Sequence, residues 1–287
     1  MAPGAVPLAS SEPDLVYHYT DTWGLFGIIK DEALWASDVW FMNDAREALY
    51  GLDAIERALD SLDTPTDASA QVRRRALRCL GDIRKREEFW GSYIACLTFI
   101  GDDLSQWRAY GRSRGFSVGF DTAQLRSLCA MSPEFDKPTF RYVEYDETQQ
   151  AGVIAIQFNT AVDSLSEMPS EDQLQAAAVA FVNGARVLAP ALKHSAFSSE
   201  REVRLHVFRQ GDTTDGLLFR PTSMGIVPYV LIDLKDPGTA KMALIREVII
   251  GPQPNELESQ RSIKQFLTHH GLHDVEVRLS KVPLRPG

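Results

Sequence analysis

The spacing of apolar positions changes several times along the chain, and each change predicts an element. Leu15-Val16-Tyr17-His18-Tyr19-Thr20 is aromatic and β-branched, which predicts a strand. Trp23, Phe26, Ile28 and Ile29 follow at roughly helical spacing, and Ala33 to Ser37 returns to an extended pattern. Asn43 or Asp44 can cap the next helix, with Glu47 three residues after Asp44 in a capping-box-like arrangement. That helix runs to about Leu59. The stretch Asp63-Thr64-Pro65-Thr66-Asp67 breaks it before another helix from about Ala68 to Phe89.

Tyr93 to Ile100 and Phe116 to Phe120 predict strands on either side of a short helical turn carrying Trp107 and Tyr110, and Phe140 to Tyr145 predicts a third. Residues 147–190 are rich in Ala and Gln and predict two helices joined near Pro169 and Ser170. Strands then recur at 201–208, 226–234, 245–251 and 274–280, around a helix from about Asn255 to His270 that Gly271 stops. Strict βαβ alternation and internal repeats are both missing. The expected architecture is one α+β domain over 14–287, a mixed, mostly antiparallel sheet flanked by helices, with helical layers or insertions at 40–90 and 147–190. Residues 1–13, rich in Pro, Ala and Ser, read as a flexible arm.

Composition narrows the class. With 30 Lys and Arg against 39 Asp and Glu the formal charge is −9, which argues against a surface that broadly tracks nucleic acid or anionic lipid. The one basic stretch, Gln71 to Trp90, holds seven basic and three acidic residues and reads as a solvated helix face ahead of a nucleic-acid contact. Cys79, Cys96 and Cys129 are too far apart for a Cys-x-x-Cys pair and read as reduced thiols. The N-terminus has neither a cationic region nor an apolar run, and no stretch approaches the ~18 uninterrupted apolar residues a membrane span needs. The expectation is a soluble, cytoplasmic protein with no membrane partner.

The richest chemistry lies between Phe197 and Val207. As a strand, this segment puts Glu200, Glu202, Arg204 and His206 on one face and Val203, Leu205 and Val207 on the other. Same-face salt bridges explain that pattern as well as a pair of carboxylates facing a cleft does. His18 between aromatics is most simply a hydrogen-bonded core residue, and Trp107 and Tyr110 one helical turn apart are most simply core. A helix cap accounts for Asn43, Asp44 and Glu47. His269, His270 and His273 fall where a helix ends and lack a carboxylate or Cys at ligand spacing, so no metal site is expected. Walker-type loops and a Gly-x-Ser-x-Gly elbow are absent from the sequence.

His18-Tyr19-Thr20, Phe41-Met42-Asn43-Asp44 with Glu47, Leu104-Ser105-Gln106-Trp107-Arg108-Ala109-Tyr110-Gly111, Lys193 with Phe197 and Glu200-Arg201-Glu202-Val203-Arg204, and Ile249-Ile250-Gly251-Pro252 together resemble a bacterial family known only as domain of unknown function 2971. A late Ser280-Lys281-Val282-Pro283 fits the same pattern. More remotely, the His18 strand, the helix after it and the later Glu-x-Glu pair resemble ADP-ribosyltransferases. That resemblance implies an NAD-consuming enzyme that transfers ADP-ribose to a macromolecular acceptor, protein or nucleic acid, or hydrolyses NAD. It suggests a role as a toxin or phage-defence effector.

In that reading His18 bonds the nicotinamide-side ribose, with Thr20 beside it, and Tyr19 or Tyr110 stacks on nicotinamide near Trp107. Glu202 holds the ribose 2′-hydroxyl and stabilises an oxocarbenium-like centre, and Glu200 activates or orients the acceptor. Arg204 and Arg220 either clamp a phosphate or serve as structural partners of Glu200, Glu202 or Asp44. The middle-strand Ser-Thr-Ser-like or Tyr motif of such transferases has only weak counterparts here, Ser92-Tyr93 and Ser117. Two other classes stay open: a magnesium-dependent nuclease using Asp44, Glu200 and Glu202, where Arg204 stands in place of the usual Lys, and a non-catalytic sensing or interaction module.

Overall fold

Alternation in the first strand buries Val16 completely, and Asp21 at its end turns the chain into a helix by accepting the Gly24 N–H at 2.9 Å. That helix, α1 (Thr22–Asp31), places Leu25, Ile28 and Ile29 on one buried side and stops at Glu32 in the left-handed region. The structure, a computed structural model, describes residues 13–42, 45–86, 91–111, 115–130, 136–209, 214–222, 225–235 and 242–283. Among these, the strands are β1 (Leu15–Asp21), β2 (Ala33–Asp38), β3 (Ser92–Thr98), β4 (Gly115–Asp121), β5 (Pro138–Tyr142), β6 (Glu202–Phe208), β7 (Leu218–Thr222), β8 (Gly225–Asp233), β9 (Ile245–Ile250) and β10 (Glu276–Leu279). The other helices are α2 (Ala45–Ser61), α3 (Asp67–Arg86), α4 (Leu104–Gln106), α5 (Thr122–Ser127), α6 (Glu147–Val162), α7 (Glu171–Leu188) and α8 (Glu256–His269).

The strands form one sheet in the order β10-β9-β4-β1-β3-β2-β8-β7, with β6 also on β3 and β5 on β6. Every strand pair is antiparallel except β9 with β10. The mixed, mostly antiparallel α and β architecture expected from the pattern is what the chain adopts.

Helices cover both faces. α1, α5 and α8 pack on the face that carries Val16, Val118, Leu205 and Ile232, and α2, α3, α6 and α7 form one cluster against Ile94 on the other. Helices from 45–86 and 147–188 therefore belong to the same layer. Basic side chains of α3 serve that layer: Arg75 pairs with Glu171 of α7, and Arg84 with Asp53 and Glu56 of α2. The segment Glu171–Ala191 is long and apolar enough to cross a membrane, but 56% of its 18-residue apolar window is buried inside the protein, where it is the central helix of this layer.

Two elements had no signature. β7 is an edge strand open on both faces, so burial imposes no alternation on Leu-Phe-Arg-Pro-Thr, and its proline suits an edge. α5, six residues long, is shorter than two helical turns. The basic stretch beyond Arg86 and the cap pair Asn43 and Asp44 lie outside the described residues.

Candidate active site at the fork of the sheet

β3 is the strand around which the site is built. One of its edges is paired with β6 along its whole length, from Ser92↔Phe208 to Thr98↔Glu202. The other edge is shared: β1 touches it only at Tyr17↔Thr98, and β2 takes over at Ser37↔Ile94 and Asp38↔Tyr93. Between those contacts β1 and β2 fork apart, and Cys96 loses its neighbour on that side. His18 fills the gap, with its Nδ1 2.8 Å from the Cys96 carbonyl oxygen. A carbonyl only accepts, so Nδ1 donates and carries the proton, and Nε2 keeps its lone pair. Burial pushes the His18 imidazole pKa down, the Cys96 carbonyl opposes this, and the charge of Arg220 pushes it down further.

Across β3 stands a buried ionic cluster. Glu202 accepts from Arg204 Nε at 2.7 Å and Nη2 at 2.9 Å, and from Lys193 Nζ at 3.0 Å. Lys193 also reaches Glu200 at 2.6 Å, and Arg204 Nη1 donates to the Pro190 carbonyl at 2.5 Å. Burial alone would raise the Glu202 carboxyl, but Arg204, Lys193 and the Cys96 thiol hold it down to about 2. The expected face of four ionisable groups is corrected here. Glu202, Arg204 and His206 do share a face, but Arg201 adopts a left-handed conformation (φ 44°) that ends the alternation, so Glu200 sits in the 3-10 turn Ser195–Glu200. Lys193, by bonding both carboxylates, brings them together all the same. His206 is buried against Ser92, and burial, Arg141 and Arg204 take its imidazole down to about 3.

Arg204 and Arg220 have separate fates. Arg204 is spent on Glu202 and Pro190, whereas Arg220 lies on the opposite side of β3, at the fork. Its guanidinium carbon is 5.2 Å from the Trp35 ring centre and 5.6 Å from that of Tyr229, and Nη2 donates to Ser37 Oγ at 2.7 Å. Trp35 can lie flat against α1 because residue 27 is glycine; a Cβ there would come within 2.2 Å of the ring.

Tyr19 and Trp107 meet each other, ring centres 4.7 Å apart, in a small separate core with Ile249. The Tyr19 hydroxyl donates to Ile100 O and accepts from Asp103 N–H, and Trp107 Nε1 donates to Asp102. Both side chains are committed to packing, so the structure does not place them at the fork. Thr20 packs its hydroxyl toward Gly24 of α1. The side chains of Tyr110 and Glu47, like Asn43 and Asp44, fall outside the described residues. Among the described residues no group of three or more His, Cys, Asp and Glu is disposed to hold a metal ion.

Sequence reasoning assigned no role to Lys193, Cys96, Ser37, Trp35 or Tyr229. Only Lys193, standing with Phe197 ahead of the Glu-x-Glu pair, carried a signal. The others are ordinary strand residues until the fork assembles them.

No curated protein and no solved structure matches the chain, so the ADP-ribosyltransferase resemblance finds no support there. A family model does match, over residues 106–205, which include Lys193, Glu200, Glu202 and Arg204 and leave out His18 and Arg220. That segment, with the ionic cluster beside β3, is similar to the family described as "Protein of unknown function (DUF2971)".

Proposed function

We propose that the chain is a cytoplasmic, NAD-consuming enzyme of the ADP-ribosyltransferase kind, with a protein, nucleic acid or water as acceptor. The observation that carries this reading is Cys96, whose carbonyl holds His18 on one side of β3 and whose thiol supports Glu202 on the other. A histidine with a free Nε2 lone pair and a pair of carboxylates thus flank one strand.

In this proposal His18 Nε2 accepts a hydrogen bond from a ribose hydroxyl. Glu202, with its oxygens already bonded, is the fixed anchor of the cluster. Glu200, whose side chain keeps 24% of its exposure, is the carboxylate that reaches the ligand. The bond between nicotinamide nitrogen and ribose C1′ breaks with its electron pair leaving on nicotinamide. The partly exposed Glu200 carboxylate faces the oxocarbenium-like ribose, and the acceptor's oxygen or nitrogen forms the new bond and gives its proton to Glu200. A toxin or phage-defence role rests on this activity.

Nicotinamide release from NAD, followed chromatographically with a cell lysate as source of acceptors, tests the reading. Wild type should release nicotinamide, and Glu200→Gln should lower the rate at least tenfold at an unchanged melting temperature. Absence of release from wild-type protein would overturn it. One observation favours the second reading, a non-catalytic sensing or interaction module: two cations already neutralise Glu200 and Glu202. In that case Glu200→Gln and Glu202→Gln change stability only.

A further inference from the structure

Like Arg141, whose Nε is also buried without a partner beside β6, Arg220 is a cation that the fold leaves unfinished at the fork. Its side chain is half-buried, its Nε is buried without a partner, and among the described residues no carboxylate forms an ion pair with it. Asp21 acts on it only at longer range, and that carboxylate already caps α1. The centres of Trp35, Tyr229 and the guanidinium form a near-equilateral triangle, with sides of 5.2, 5.2 and 5.6 Å. The rings therefore lie together on one side of the guanidinium and do not sandwich it. Ser37 Oγ accepts from Nη2, which leaves the serine O–H to donate elsewhere.

A half-buried guanidinium beside a hydroxyl donor suits an acceptor-only anion, and its planar donor edge matches phosphate oxygens. Burial pushes the His18 imidazole beside it toward the neutral form, and the two carboxylates that act on the fork are already bonded, Asp21 to the Gly24 N–H and Asp31 to Trp35 Nε1. We infer that Arg220 and Ser37 form a phosphate subsite in the fork between β1 and β2, which takes the diphosphate of a nucleotide such as an ADP-ribosyl group. The inference rests on the proposed function for the identity of the nucleotide, whereas the phosphate chemistry rests on Arg220 alone. It divides the two arginines, giving Arg204 to the buried cluster and Arg220 to the ligand.

Isothermal titration of the full chain with ADP-ribose, inorganic pyrophosphate and adenosine tests it. Wild type should bind both phosphorylated probes. Arg220→Gln should weaken both at least tenfold while leaving adenosine unchanged, and the exposed control Arg246→Gln should behave as wild type. No binding of either phosphorylated probe, wild-type affinity in Arg220→Gln, or an equal loss in Arg246→Gln overturns the inference. If Arg220→Gln does not fold, wild-type crystals grown with ADP-ribose decide: diphosphate on Arg220 supports the subsite, and diphosphate elsewhere, or none bound, overturns it.

The two proposals fail separately. Arg220-dependent binding in a chain that never releases nicotinamide keeps the subsite and removes the NAD reading. Nicotinamide release with a wild-type KM for NAD in Arg220→Gln does the reverse.

Discussion

The two edges of β3 carry charged clusters assembled from similar residues and completed differently. On the β6 edge, Glu202 receives three donated hydrogen bonds from Arg204 and Lys193, and all three side chains are less than a tenth exposed. On the fork edge, Arg220 makes one side-chain hydrogen bond, rests against two aromatic rings and has a buried N–H with no acceptor. A buried ion pair is costly to assemble and costlier to break, because removing either partner strands the other charge. A half-buried cation without a paired carboxylate contributes little to stability and is a natural place for an anion. The β6 edge therefore holds the fold together, and the fork edge is where a ligand is expected.

The sharpest way to break this contrast is Glu202→Gln. It leaves Lys193 and Arg204 buried with a neutral partner, and urea denaturation should show a loss of about 3–5 kcal/mol. A loss below about 1 kcal/mol would mean that the cluster is not the anchor described here.

Acid should reach the same cluster next. The unfolded His206 imidazole titrates near pH ~6.5, whereas burial and its arginine neighbours take it to about 3 in the fold. Between those values the unfolded chain binds more protons, so stability should fall as pH drops, by up to ~1.4 kcal/mol per pH unit. His18, lowered in the same direction, adds slope near the top of that window. Glu202 adds to the loss below pH ~4.3, because its depressed folded value of about 2 gives a stabilisation that disappears as pH falls toward 2. Urea titrations from pH 8 to 4 should show this slope, and it should be shallower in His206→Gln.

Arg220→Gln should cost only about 1 kcal/mol, the scale of one neutral-acceptor hydrogen bond and an exposed cation–π contact. A loss equal to that of Glu202→Gln would make both edges structural. The smallest effect belongs to Cys96→Ser. Serine keeps a donor toward Glu202, and the carbonyl that holds His18 is untouched, so the melting temperature should shift by less than the scatter expected of ~0.5 kcal/mol changes.

Much of the framework was legible in the pattern because burial on one side writes a period into the chain. β1, β3, β4, β8 and β9, α2, α6, α7 and α8 fall close to their expected places. β7 escaped because an edge strand open on both faces has no period to write. In the site, the pairing of Arg204 with Glu202 was one of the open alternatives, since residues two apart on a strand share a face. Trp107 could be read as core from its spacing with Tyr110, whereas Tyr19 was expected to stack on a ligand, and nothing in the chain showed that Tyr19 and Trp107 meet each other.

By itself, then, the sequence determined which residue types were present and which neighbours along one element shared a face: Glu202 with Arg204 and His206, His18 on a strand, and an acidic chain without a metal-ligand spacing. It also determined which segments are helices and which are strands over most of the chain, since that follows from local periodicity. Tertiary structure decided that β1 and β2 divide one edge of β3, that Lys193 ties Glu200 to Glu202 across a turn, and that Arg204 is spent while Arg220 is not. These outcomes depend on contacts between segments as far apart as Ser37 and Arg220. Their hydrogen-bond partners are chosen by how the sheet forks, and no local period records that choice.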